Sequence, residues 1–171
     1  GGGGGGGTAG AAGATKPNRS AKRRRSPGRA MVECTVACRH VAAAGRWLPC
    51  DPRAAAAVMQ TVQRTAPTGV PVFAKLSPDV TDITEIARAC VDAGADGLSV
   101  INTLLGMVID TGTMRPLLGG VTGGLSGPAI RPVAVRCGWP IRKALPDVPI
   151  LRMGGLRIGP DALEFVLAGA T

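Results

Sequence analysis

From Met31 onward, short apolar segments alternate along the chain with longer segments that have helical spacing. The pattern predicts strands at 32–36, 70–74, 97–101 and 148–151. It predicts helices at 52–64, 82–93, 131–145 and 160–167. Short buried strands that alternate with helices are typical of a parallel sheet, so the predicted fold class is α/β. A doubly wound sheet and a barrel both satisfy this pattern.

The length of the chain limits how much of a barrel it can form. A complete (β/α)₈ barrel usually needs about 250 residues, and this chain has 171. A glycine-rich stretch at 104–126 interrupts the alternation, and we predict a hairpin within it around 110–115.

Residues 1–30 differ in composition from the rest of the chain. They contain a run of seven glycines, a Gly/Ala stretch and a basic cluster at 22–25. They hold no acid, and most of the formal net charge of +9 belongs to them. Such a segment cannot bury enough apolar surface to offset its chain entropy, so we predict a disordered tail. A nucleic-acid-binding arm is the alternative, but no aromatic residue accompanies the basic ones.

Cysteine content and hydropathy bear on location. The five cysteines form an odd set without a regular framework, which indicates reduced thiols and a cytoplasmic protein. No apolar core of a signal peptide follows the basic residues. No apolar run approaches the roughly 18 residues of a membrane span, so we expect no membrane partner.

Polar residues follow two of the predicted strands. Lys75 comes directly after the strand 70–74, and Asn102 and Thr103 follow the strand 97–101. Parallel strands end at the same edge of a sheet, where α/β proteins bind their ligands. An ammonium group, an amide and a hydroxyl would therefore share one rim. Each also has an ordinary structural explanation, as a lysine extending to water or a turn-forming asparagine.

The sequence contains two glycine-rich turns next to predicted helices or strands. One is 123–127, before the third helix, and the other is Gly154 with Gly155, after the fourth strand. Glycines let a backbone approach an anion or a flat ring, and helix N-termini attract phosphate. Ordinary strand-to-helix connections would look the same, although two at successive strand ends favour a ligand site.

Cys34, Cys38, His40 and Cys50 suggest a metal site, but their spacing argues against one. Cys34 and Cys38 would lie about 13 Å apart on an extended segment. That distance is too long for two ligands of a tetrahedral zinc ion with bonds of about 2.3 Å. We predict no metal, and we interpret Cys38 as a single reactive thiol or a buried inert one.

Four segments together resemble the catalytic chain of class 1 dihydroorotate dehydrogenases, most closely the NAD-linked form. The first, VFAKLSPDVTDI at 72–83, is similar to the family's KLSPNVTDI signature. The others, in the family's order and spacing, are 93–106, 122–130 and 153–155. The resemblance extends from about residue 32 to residue 170.

The resemblance implies a partial (β/α)₈ TIM barrel of about four β-α units in residues 31–171, with FMN at its carboxyl rim. It implies oxidation of dihydroorotate to orotate in pyrimidine (UMP) biosynthesis. Cys38 would be the base that removes the C5 proton while a hydride leaves C6 for the flavin. Lys75 would lie beside the flavin pyrimidine edge and stabilise charge on the reduced ring.

Other roles also come from the resemblance. Asn102 and Thr103 would hydrogen-bond the substrate. An FAD and iron–sulfur subunit would carry electrons onward, and the chain would form a homo-oligomer. The remaining cofactor contacts fall to Thr35, Ile101, Gly127, Gly154 and Gly155, with the three glycines around the ribityl-phosphate.

Several departures from the family pattern predict impaired activity. Thr35 and His40 replace two asparagines of the family's catalytic loop, N-x-S-C-P-N. Arg152 replaces a glycine, and we expect it close to the phosphate site. Gly138 and Pro140 interrupt a predicted helix, where an interior proline costs about 3 kcal/mol. Strands one to three and strand eight of the family barrel have no counterpart.

Three other interpretations remain open. The chain could be a non-catalytic half-barrel that dimerises through its open edges. It could be the related flavin-dependent domain that reduces pyrimidines, which shares parts of these motifs. It could also be a basic binding protein whose function lies in residues 1–30.

Overall fold

The computed structural model describes residues 31–36, 42–43, 46–47 and 51–171. These residues form ten strands, which are β1 (Val32–Thr35), β2 (Ala42–Ala43), β3 (Arg46–Trp47), β4 (Val72–Leu76), β5 (Gly97–Val100), β6 (Leu104–Met107), β7 (Ile109–Asp110), β8 (Arg115–Pro116), β9 (Thr122–Leu125) and β10 (Ile150–Arg152). They also form four α-helices, α1 (Pro52–Thr65), α2 (Ile83–Asp92), α3 (Arg131–Ala144) and α4 (Gly159–Leu167). The predicted tail lies outside the described residues and stays a prediction.

A parallel sheet of four strands organises the chain. Its order is β1-β4-β5-β10, which is also the order of these strands along the sequence. Each neighbouring pair is parallel. The four predicted strands are therefore confirmed as one sheet, with a helix after β4, after β10 and between β1 and β4. Sequential order without a reversal is the arrangement of a barrel wall.

The hydrophobic core lies between the sheet and the helices. Val72, Ala74 and Leu76 of β4 are fully buried and pack in one cluster with residues of all four helices. Alternate residues of the same strands point to the other face. That face is partly open, since Glu33 and Thr35 are exposed and Leu151 is 37 % exposed. Helices on one face of a parallel sheet favour the partial barrel over a doubly wound sheet, which needs helices on both.

Local sequence signals explain where two helices begin. Asp51 precedes Pro52, and its carboxylate accepts a hydrogen bond from the Arg53 backbone N–H at 2.9 Å. Asp82 accepts in the same way from the Thr84 N–H at 2.8 Å. An aspartate at the N-cap satisfies one of the unpaired amides of a helix start. Among the described residues, no α-helix combines the length and apolarity that crossing a bilayer requires.

Residues 104–125 form an excursion away from the parallel sheet. β6 pairs with β9 and β7 pairs with β8, both antiparallel. The hairpin predicted around 110–115 is confirmed, whereas the β6–β9 pairing was not predicted because its strands lie far apart and are rich in glycine. The excursion exposes large apolar side chains by 48–80 % at Met107, Val108, Ile109, Met114, Leu117 and Val121.

Two predictions about the last helical units need correction. α3 is continuous from Arg131 to Ala144, although Gly138 and Pro140 lie inside it. Arg152 is not beside the glycine turns. Its guanidinium packs on the helical side, where Nη2 donates to the carbonyls of Ala134 and Val135 at 2.6 and 2.9 Å.

Gly138 makes the space that the Arg152 guanidinium occupies. A Cβ at position 138 would overlap the guanidinium group, with only side-chain atoms of Arg152 as its nearest neighbours. Arg152 Nη1 also donates to the Ala168 carbonyl at 2.9 Å, and the guanidinium lies 5.2 Å from the Phe165 ring centre. The glycine that looked like a helix breaker therefore lets one arginine bridge α3, β10 and the end of α4.

This packing predicts that Gly138→Ala destabilises the chain. Alanine in place of a helix-interior glycine normally stabilises by roughly 0.5–1 kcal/mol, but overpacking against Arg152 should lower the free energy of unfolding by roughly 1–3 kcal/mol. Urea unfolding measures the difference. Gly119→Ala is the control, since its Cβ would meet no atom within 4 Å. In an Arg152→Ala background the penalty of Gly138→Ala should disappear, and a penalty that persists would contradict this interpretation.

Candidate functional site

The inner face of the sheet carries a row of aligned side chains from its four strands. Thr35 is in register with Lys75, Lys75 with Ser99, and Ser99 with Leu151. Residues in register on neighbouring parallel strands point to the same face, so these four side chains form one layer. Lys75 is thus inside β4, and our expectation that it follows the strand end was wrong by about two residues.

Lys75 forms an ion pair on this face. Its Nζ lies 3.1 Å from Oε1 of Glu33, and the two side chains are 22 % and 32 % exposed. Glu33 is in register with Phe73, one layer closer to the amino-terminal end of the strands. The ion pair therefore links Lys75 to the neighbouring strand β1. Glu33 was not predicted as part of the site. The alternation of side chains along β1 could have identified it, because it puts Glu33 on the same face as Thr35.

Beneath the aligned row, Phe73 packs on Gly97. A Cβ at Gly97 would overlap the Phe73 ring, so only glycine lets the ring lie against β5. The neighbouring Ser99 is fully buried, and its Oγ has no hydrogen-bond partner among the described residues. A buried unpaired hydroxyl is costly, and it marks this part of the inner face as unusual.

The loops after β4, β5 and β10 begin side by side. The Asn102 N–H donates to the Leu76 carbonyl at 2.7 Å, and the Ile101 N–H donates to the Met153 carbonyl at 3.2 Å. Asn102 is half-buried at this rim, above the strand that carries Lys75. Ile101 is only 2 % exposed, so protein atoms already cover most of its side chain.

Asp79 fixes the loop after β5 to the loop after β4. Both carboxylate oxygens accept from the Leu105 N–H at 3.1 Å, and the Asp79 N–H donates to Ser77 Oγ at 3.2 Å. Thr103, between Asn102 and β6, packs its side chain on Gly124 of β9. Sequence reasoning missed Asp79 as a clamp, although the Ser-Pro-Asp order is typical of a side-chain-stabilised turn.

The two glycine turns converge at the start of α3. Gly127, Gly154 and Gly155 have φ values of +86°, +117° and +84°, which strongly favour glycine. A Cβ at Gly155 would lie 2.8 Å from the Gly127 carbonyl oxygen and 2.9 Å from the Arg131 backbone nitrogen. Two turns that are far apart along the chain therefore touch, as a shared cradle requires.

The start of α3 is able to attract an anion. No side chain caps the 3-10 turn Pro128–Ile130 or the helix that follows it, and the first turn holds no acid. The helix dipole favours negative charge there. Few backbone donors are open, because the Ile130 and Arg131 amides donate to the carbonyls of Gly127 and Pro128. Arg131 adds a cation, but it is paired with Asp161 and lies 3.3 Å from Glu164.

The predicted residues of the catalytic loop follow β1. Cys38, His40 and Cys50 lie outside the described residues, so the structure does not place the proposed thiol. Thr35 is exposed at the end of β1.

Within the described ranges, no group of three or more His, Cys, Asp or Glu side chains could hold a metal ion. Burial raises the pKa of the Cys90 thiol to about 12, so Cys90 is inert at neutral pH.

Asp161 anchors the loop that carries the second glycine turn. Its Oδ2 accepts from the backbone N–H groups of Arg157 and Ile158 at 2.9 and 3.3 Å. The Arg157 amide, followed by the Ile158 amide and Arg131, lowers the pKa of this carboxyl below its ordinary value of 3.8. A lowered pKa in the folded chain means that the ionised carboxylate stabilises the fold.

We therefore predict that ionised Asp161 contributes to the free energy of unfolding in a pH-dependent way. The contribution is present above pH about 4 and is lost as the pH falls through the lowered pKa. Asp161→Asn should be less stable than the parent chain near pH 7, and the difference should shrink near pH 3. Urea unfolding at both pH values measures this, with the exposed Asp92→Asn of α2 as control. An Asp161→Asn difference that does not change with pH would contradict the prediction.

Comparison with known sequences identifies similar proteins. A family model described as Dihydroorotate dehydrogenase matches residues 16–171. The match begins within the segment that we predicted as a tail. The dihydroorotate dehydrogenase B (NAD(+)) catalytic subunit of Desulforamulus reducens is 53 % identical over 143 residues, covering 84 % of this chain and 46 % of that protein. The corresponding subunit of Geobacter sulfurreducens is 50 % identical over 145 residues, covering 85 % and 47 %. The chain thus spans about half the length of these relatives.

Solved structures share the fold. A DHODH from Eimeria tenella in complex with ferulenol superposes with a TM-score of 0.64 at 22 % identity, covering 82 % of this chain and 42 % of that one. The ligand-free form from the same organism gives a TM-score of 0.55 at 25 % identity, with 70 % and 38 % covered.

Proposed function

Because the chain belongs to the dihydroorotate dehydrogenase family, we propose that its inner face and carboxyl rim form part of an FMN site that oxidises dihydroorotate to orotate in pyrimidine biosynthesis. The chain covers about half of its relatives, so we propose the activity for the site to which these residues contribute. One observation carries the proposal. A lysine on the inner face and two touching glycine turns belong to the same end of one parallel sheet.

The glycine cradle supports a phosphate-bearing cofactor. A Cβ at Gly127 would meet open space, and the adjacent start of α3 has no side-chain cap. Gly155 brings a second backbone turn against this helix start. A phosphate group there would lie in the favourable field at the N-terminus of a 14-residue helix. Gly127, Gly154 and Gly155 would hold the ribityl-phosphate of FMN.

The inner face supports the ring of the same cofactor. Bound FMN would supply the hydride acceptor for C6 of dihydroorotate. Lys75 would hold a positive charge beside the ring, where it stabilises developing negative charge. The nearly covered Ile101 would offer the ring only limited contact, whereas Thr35 is exposed on the same face as Lys75 and is open to it. The contribution of Ile101 to cofactor binding is therefore the smallest that we propose.

The substrate contacts would come from the rim. Asn102 would donate a hydrogen bond from its amide, and Thr103 from its hydroxyl. Asp79 holds the loop that follows them, which limits how far these two groups can move. Cys38 would take the C5 proton onto its thiolate. Thr35 and His40 replace the asparagines of the family loop, so we expect this proton transfer to be slow.

We propose two kinds of protein partner. The named relatives are catalytic subunits, which supports an electron-transfer subunit with FAD and an iron–sulfur centre. The exposed apolar side chains of the excursion 104–125 support contact with a second copy of the chain. The thiols of Cys90 and Cys137, which form no disulfide, support a cytoplasmic location. A half-barrel whose dimer is its function would use the same exposed surfaces without binding flavin.

The proposal predicts FMN binding followed by reduction with dihydroorotate. The 171-residue chain should quench FMN fluorescence, and anaerobic dihydroorotate should bleach the bound flavin slowly, in a single turnover without steady turnover, because Thr35 and His40 replace the family's asparagines. Gly155→Ala should weaken FMN binding at least about tenfold, because an alanine at this φ is strained and would collide with α3. Lys75→Ala should slow bleaching by roughly 10²–10³-fold.

Matched controls separate the proposal from its alternatives. Gly159→Ala, whose Cβ meets no atom within 4 Å, should bind FMN like the parent chain. Uracil should not compete with dihydroorotate, since competition would favour a pyrimidine-reducing domain. Absence of FMN binding by a folded chain would refute the proposed function and favour the dimerising half-barrel.

A further inference from the structure

We propose that Glu33 is a positioning residue that holds the Lys75 ammonium group at the inner face, an inference that gives Glu33 a role in the FMN site proposed above. The Nζ–Oε1 distance of 3.1 Å is that of a direct, hydrogen-bonded ion pair. Both residues lie on strands of the rigid parallel sheet, and their strands are immediate neighbours. The pair therefore joins two fixed points of the scaffold.

Register puts Glu33 within reach of the lysine. Lys75 is aligned with Thr35, whereas Glu33 is two residues earlier on β1 and therefore one layer deeper on the same face. The ion pair holds the lysine side chain against this neighbouring strand. Without Glu33, the long side chain could extend freely from the open face into water. The carboxylate thus selects one of the many conformations that Lys75 could adopt.

Glu33 is also the matching charge for this lysine. The other residues that the register assigns to these two inner layers carry no charge. They are Thr35, Phe73, Gly97, Ser99 and Leu151. An ammonium group has three N–H donors, so the ion pair leaves two for a ligand above it. Glu33 itself belongs to the layer below Lys75, on the side away from the rim.

The first test needs no cofactor. The folded chain is treated with limiting acetic anhydride, and acetylation of Lys75 is measured by mass spectrometry relative to Lys143. Lys143 is exposed on α3, 4.9 Å from the Trp139 ring centre, and serves as an internal reference. In Glu33→Ala, relative acetylation of Lys75 should rise roughly two- to fivefold, the range that a partly exposed ion pair supports.

Two further variants separate charge from shape. Glu33→Gln keeps the size and one acceptor oxygen, so its acetylation should lie between the parent chain and Glu33→Ala. Ser99→Ala changes the same layer without touching the ion pair and should leave Lys75 acetylation unchanged. If Glu33→Ala fails to fold, Glu33→Gln decides the question. Unchanged Lys75 acetylation in the folded variants would overturn the proposal.

The second test asks whether this orientation serves the flavin. Glu33→Ala should weaken FMN binding roughly two- to fivefold, because the lysine must then be ordered on binding. Gln should again be intermediate. Altered acetylation with unchanged FMN affinity would overturn the role toward the flavin. If the parent chain binds no FMN, the proposed function fails, and acetylation alone still decides whether Glu33 positions Lys75.

Discussion

Side chains alternate between the two faces of one parallel sheet, and this alternation separates the hydrophobic core from the candidate site. Residues of β4 point in turn to the helices and to the inner face. The outward set, such as Val72 and Leu76, is fully buried and forms the core with all four helices. Stability therefore comes almost entirely from one face. The other face is left to hold Glu33, Thr35 and Lys75, residues that a closed apolar core would exclude.

Parallel pairing then brings distant residues to one rim. The strands end together, so the loops that follow them meet although they are separated along the chain. Backbone hydrogen bonds join the segment after β5 to both neighbouring strands, from Ile101 to the end of β10 and from Asn102 to the end of β4. The glycine turns also touch, because Gly155 lies against Gly127 and the start of α3. The FMN that we propose would extend from this cradle to the inner face.

The periodic parts of the chain were predictable, and the non-periodic parts were not. Strands and helices were found close to their predicted bounds because each has a clear apolar spacing or an aspartate cap. We predicted Arg152 at the rim because a charged residue at a strand end is usually found there. The alternation of side chains along β10 instead points Arg152 toward the helices. Glu33 was overlooked because a single acidic residue in a strand carries no motif. The pairing of β6 with β9 depends on long-range contacts that local sequence does not encode, and Cys38 lies outside the described residues.

We propose that Lys75 and the glycine cradle belong to one binding site. Titration of the ¹⁵N-labelled chain with FMN, followed through its backbone amide NMR signals, tests whether they do. The amides of Lys75, Gly127 and Gly155 should shift together with a single dissociation constant, while the amide of Gly112 in the β7–β8 turn should not shift. Shifts at these three positions that saturate at different FMN concentrations, or that spare one of them, would contradict a shared site.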